Sequence, residues 1–85
     1  MVGLPTNLHR QKAIGKALRT AREAAGLQQI QLGERIGRTQ GYISKIEGGH
    51  QGVDVLLLYD IAFALQQEPI ALHSNVIKYL EGENG

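Results

Sequence analysis

Residues 26–49 read GLQQIQLGERIGRTQGYISKIEGG, and this stretch decides the fold. Leu32 and Ile36 are spaced as the inward face of a short helix over about 29–36. Gly37 closes that helix. Thr39 is suited to start the next one, because its hydroxyl can accept a backbone N–H of the following turn. A second short helix then runs over about 40–47 with Ile43 and Ile46 inward, and Gly48-Gly49 ends it. Two short helices joined by the glycine-containing turn Gly37-Arg38-Thr39 make a helix-turn-helix pattern.

The rest of the chain reads as helix around this centre. Ile14, Leu18, Ala21 and Ala25 recur on one helical face upstream, which predicts a first helix from about Leu8 or Gln11 to Ala25. Gly26 is its left-handed cap and Leu27 the apolar follower. Downstream, Asp54 caps a helix over about 55–65. Glu68-Pro69 opens a last helix to about Leu80, because proline fits the first helical position. The expectation is an all-α, single domain over 1–85. Its ordered core spans about 8–80, and the tails 1–7 and 81–85 fray.

The central stretch resembles the helix-turn-helix of the Xre family, which includes the lambda-type phage repressors and Cro proteins. The resemblance continues without a gap through Asp54, Leu58, Ile61, Ala62 and Leu65 to Pro69, Ile70, Ala71 and Leu72. It implies a five-helix, lambda-repressor-like fold. There are departures. Gln28 stands where the family favours Ser or Thr, and glutamine caps poorly. Gly33 replaces an alanine at a cost of about 1 kcal/mol in helix propensity. Gly48 replaces an asparagine and Val53 a frequent proline.

The resemblance places the second helix of the motif in the DNA major groove, where each base pair shows its own donor and acceptor pattern. Gln40, Gly41, Ser44 and Lys45 are its outward positions. Gln40 and Lys45 are the best base readers, since glutamine matches adenine and lysine matches guanine. Ser44 is an ambiguous reader. Gly41 offers only backbone, and Tyr42 is either core or a DNA-edge contact. Backbone phosphates are assigned to Gln29 at a helix N-terminus, Arg38, Thr39, and His50-Gln51 in the following loop. Arg22 and Glu47 match a family pair in which the arginine is bridged to the glutamate and faces phosphate, with Glu47 as structural support.

Charge agrees with that assignment once it is resolved along the chain. The net charge is only +1. Residues 1–46 hold eight Lys and Arg against two acids, +6, whereas residues 47–85 hold one lysine against six acids, −5. Such asymmetry points to nucleic acid.

The last two helices are apolar on more than one side. Val55, Leu58, Ile61, Ala62 and Leu65 form one stripe, and Leu56, Tyr59 and Phe63 a second, with Leu57 extra. On the last helix, Ile70, Ile77 and Leu80 share one face and Leu72, Val76 and Tyr79 another. A helix apolar all round needs cover all round. A chain this small buries only about 60% of its unfolded surface. The expected cover is a second copy, a homodimer through Leu56, Leu57, Tyr59, Phe63, Leu72, Val76 and Tyr79. Its operator would be pseudo-palindromic.

Other functions fit poorly. The chain has no cysteine, hence no disulfide and no thiolate metal site. His9, His50 and His73 lack metal-ligand spacing, so neither cofactor nor metal is expected. Ser44, His50 and Asp54 can be written as a triad, but nothing supplies an oxyanion hole, so no enzyme is expected. No segment reads as a signal or membrane span, and a cytoplasmic bacterial, phage or plasmid protein is expected. The alternative to a transcriptional repressor or autoregulator is an antitoxin or other module whose main partner is a protein such as a toxin, with DNA autoregulation secondary.

Overall fold

The computed structural model describes residues 7–82. Five helices follow in chain order: α1 (Asn7–Ala24), α2 (Gln29–Ile36), α3 (Gln40–Glu47), α4 (Val55–Ala64) and α5 (Pro69–Leu80). The expectation of fraying tails lies, for residues 1–6 and 83–85, outside the described residues. No single helix among the described residues is long and apolar enough to cross a membrane.

The helix ends show why the segments stop where they do. After α1 the Leu27 N–H donates to Arg22 O at 3.2 Å, which swings Leu27 back onto the core. Gly37 takes φ 71° and lets the Arg38 N–H reach Gly33 O at 2.8 Å, so the turn between α2 and α3 is tight. Thr39 Oγ1 accepts from the Tyr42 N–H at 3.1 Å and Asp54 Oδ1 from the Leu57 N–H at 2.8 Å, as expected of N-caps. Gln28 caps better than its residue type suggests. Its N–H donates to the side chain of Gln31 at 2.8 Å, the returning half of a capping box.

The end of α4 is unlike the others. Gln66 adopts φ 57°, a left-handed conformation that glycine usually takes. The Gln67 N–H then donates to Ala62 O at 2.9 Å. Arg35 of α2 helps here by donating to the carbonyl of Ala64 at 2.8 Å. A guanidinium at a helix C-terminus satisfies a carbonyl and complements the negative end of the dipole.

Leu18, Leu32, Ile43, Ile46, Ile61 and Leu72 are the largest fully buried side chains. They bring every helix to one core. Ala25 lies outside α1 and is exposed, so the α1 core face ends at Ala21 and Arg22. Two stripes differ from expectation. On α4 Val55 is 79% exposed, and Leu57 is buried in its place. On α5 Leu72 and Val76 are buried and Tyr79 is half-buried, packed on the core. The Tyr79 hydroxyl donates to Thr20 Oγ1 of α1 at 3.2 Å. Leu57, Leu72 and Val76 are therefore removed from the expected dimer surface, and Tyr79 is largely spent on α1. The chain's own core claims these side chains because α5 packs along α1, and α4 packs against α2 and α5.

Gly15 sets the distance between α1 and α3. A Cβ at this position would stand 2.5 Å from Ile46 O and 2.8 Å from the carbonyl carbon of Glu47. Both are backbone and cannot rotate away. Gly15→Ala should gain about 1 kcal/mol of helix propensity and lose about 1–3 kcal/mol to overpacking. The expected outcome is a lower midpoint in thermal melting; a higher one would refute the close approach. Gly33 plays a similar part, because a Cβ there would stand 2.6 Å from Arg38 O in the turn. Its glycine allows the turn to close, beyond the propensity cost read from sequence.

Candidate nucleic-acid interface

The geometry of α3 follows from its two inward residues. Ile43 and Ile46 are buried, which turns Gln40, Gly41, Ser44 and Lys45 to solvent on one face. A Cβ at Gly41 would meet nothing nearer than Thr39 Oγ1 at 3.9 Å, so the surface is open there. Thr39, Arg38, His50 and Gln51 flank this face and are also exposed.

Behind α3 lies a polar brace. Arg22 of α1 donates from Nε to Glu47 Oε2 at 2.6 Å and from Nη2 to Glu47 Oε1 at 3.0 Å. Its Nη1 donates to Leu27 O at 2.7 Å. Gln29 of α2 adds a bond from Nε2 to Glu47 Oε1 at 3.0 Å. One carboxylate thus joins α1, α2 and the end of α3. The hydrogen bond to Glu47 raises the Arg22 pKa above its ordinary value, against the opposing effect of burial. An arginine guanidinium is in any case effectively always protonated.

The brace sits on a two-helix motif with a short glycine turn, and the comparisons agree with that geometry. The family described as a helix-turn-helix domain matches residues 13–69. An XRE-family like protein from Pseudomonas syringae pv. tomato is 34% identical, with 89% of this chain and 88% of that one covered and a TM-score of 0.70. The chain belongs to the helix-turn-helix regulators of the Xre family.

Two further solved structures resemble this Xre-family regulator. The restriction-modification controller protein C.AhdI from Aeromonas hydrophila is 29% identical, covering 80% of this chain and 99% of that one, with a TM-score of 0.73. The clp gene regulator ClgR from Corynebacterium glutamicum is 25% identical, covering 95% and 83%, with a TM-score of 0.80. Comparison with curated proteins finds no match.

Within this DNA-binding regulator the expected site residues separate into groups. Gln40, Ser44 and Lys45 share the open face. Tyr42 is half-buried against the core, and the Arg38 guanidinium lies over its ring at 4.6 Å. Such stacking holds Arg38 at the edge of α3. Gln29 turns its side chain inward to Glu47, leaving the first-turn N–H groups of α2 as its outward feature. Arg22 makes the expected bridge to Glu47 but is buried where the resemblance implies a side chain facing phosphate. It is only 7% exposed and aims its guanidinium at protein acceptors. All three of its nitrogens are hydrogen-bonded, tying α1 to Leu27 and to the end of α3.

Sequence reading overlooked Gly15 and Arg35. Gly15 carried a signal, a glycine set into the apolar stripe beside Ile14 and Leu18. Arg35 carried none, since its partner Ala64 O is a backbone atom on a helix far along the chain.

Proposed function

We propose that this regulator binds a pseudo-palindromic duplex operator as a homodimer, with α3 in the major groove, and acts as a repressor or autoregulator. The observation that carries the reading is the open face of Gln40, Ser44 and Lys45, backed by the Arg22–Glu47–Gln29 brace. Gln40 and Lys45 read base edges, Ser44 and the open backbone of Gly41 lie between them, and the Tyr42 edge flanks the face. Arg38, Thr39, His50, Gln51 and the first turn of α2 at Gln29 hold phosphates and fix register. A rigid reading helix loses little order on binding.

The homodimer is supported by an apolar face that the single chain leaves bare. Leu56, Tyr59 and Phe63 project from α4, and Val55 from its first turn. Val55, Tyr59 and Ile70 line one crevice, which continues the face onto α5. Ile77 lies two turns beyond Ile70 on α5 and is also exposed. Exposed apolar patches of this kind mark protein contacts. A two-fold pair would set the α3 helices about 34–36 Å apart, one turn of DNA.

Gln40→Ala and Lys45→Ala should each relax sequence preference, at about 1–3 kcal/mol per lost base contact. The measurement is affinity for genomic fragments, its own promoter included, across a salt series. A chain with no preferred fragment, or variants that rank fragments as the parent does, would refute the assignment of α3. An interaction-only module would show no preferred fragment.

A further inference from the structure

The geometry points to a cationic ridge on the first half of α1, centred on Lys12 and Lys16, that grips the DNA backbone beside the half-site read by α3. This rests on the operator reading above and extends its footprint.

Lys12 is pressed against the loop that follows α3. A Cβ at Gly49 would stand 2.6–2.9 Å from Lys12 Cγ, N and Cα. One residue earlier, Gln11 approaches Gly52, whose Cβ would lie 4.0 Å from Gln11 Nε2. The start of α1 is therefore flush with residues 49–52, which include His50 and Gln51. A phosphate strand held by that loop passes beside Lys12.

The charges on this ridge are unspent. Among the described residues the ion pairs are Arg19–Glu23 and Arg22–Glu47. Neither Arg10, Lys12 nor Lys16 has a carboxylate partner there. Lys12 and Lys16 are spaced i, i+4, where like charges repel and destabilise a helix. Arg10 sits near the N-terminus of α1, whose first turn has no acid to offset the positive helix dipole. All three line an open trough against Tyr79, Leu80 and Glu81 at the end of α5. Among the described residues Glu81 is the one acid on its rim. These arrangements cost the isolated domain stability, and a polyanion offsets all of them together.

The test compares the full chain with the double variant Lys12→Gln/Lys16→Gln. Glutamine keeps the methylene stem that covers Gly49, and circular dichroism melting checks that the fold is unchanged. Affinity for the preferred duplex is measured from low to high salt. Each lost phosphate contact should make the slope of log affinity against log salt shallower by about 0.9. The ranking of sequences should stay as in the parent. On a duplex trimmed to the half-sites the two proteins should converge, because the flanking phosphates are gone. A parent chain with no preferred duplex would overturn the operator reading itself. A parent with a clear preference and a variant of equal slope would overturn the ridge alone.

Discussion

Glu47→Ala should destabilise the domain by about 3–5 kcal/mol, the usual cost of removing one partner from a buried ion pair. The effect is large because three things fail at once. Arg22 is left charged and buried, with its side chain 9% exposed. Nε and Nη2 lose their acceptor, and so does Gln29 Nε2. The end of α3 loses its tie to α1 and α2. Marginal domains hold only about 5–15 kcal/mol in total, so this variant should be partly unfolded at moderate temperature. Chemical denaturation followed by circular dichroism measures it. The double variant Arg22→Met/Glu47→Leu should recover much of the loss, since apolar replacement of a buried pair is often neutral or better. It should still bind DNA less well if the brace positions the reading face. A Glu47→Ala protein as stable as its parent would show that the brace carries no stability.

Phe63→Glu, alone or with Leu56→Glu, should convert a dimer to a folded monomer. Phe63 is 76% exposed and Leu56 69% exposed, so the single chain tolerates the charge. Exposed substitutions usually change stability by less than about 0.5 kcal/mol. Two buried like charges across a two-fold axis would not be tolerated. Sedimentation gives the mass, and operator affinity should fall by about 10²–10⁴, the gain that linked binding supplies. Leu72→Glu is the contrast: Leu72 is fully buried in the chain's own core, and its charging should unfold the protein. A Phe63→Glu protein that remains dimeric would place the interface elsewhere.

That contrast shows where sequence reading stops. Its spacing rule put Leu56, Tyr59 and Phe63 on one stripe, and they are exposed together. The same rule grouped Leu72 with Val76 and Tyr79, and they do share a face. It assigned that face to a partner, whereas α1 covers it. Period is a property of one helix. The choice between two apolar faces depends on where the neighbouring helices lie, and α5 meets α1 across a long separation in sequence.

The candidate site divides along the same line. Ile43 and Ile46 are inward by local spacing, which suffices to turn Gln40, Ser44 and Lys45 outward. Thr39 and Asp54 act as caps for local reasons, because their partners lie three residues away. Arg22 could be paired with Glu47 only through the family resemblance, and its burial was not legible even so.

Sequence by itself determined the helices, their ends, the tight turn at Gly37 and the residues on the outer face of α3. These follow from interactions within a few residues of each other. Tertiary structure alone decided which apolar stripe is core, that Arg22 faces inward, that Gly15 lets α1 touch α3, and that Lys12 lies against Gly49. Each of these is a distance between segments far apart in the chain, and packing sets such distances where local propensity has no term for them.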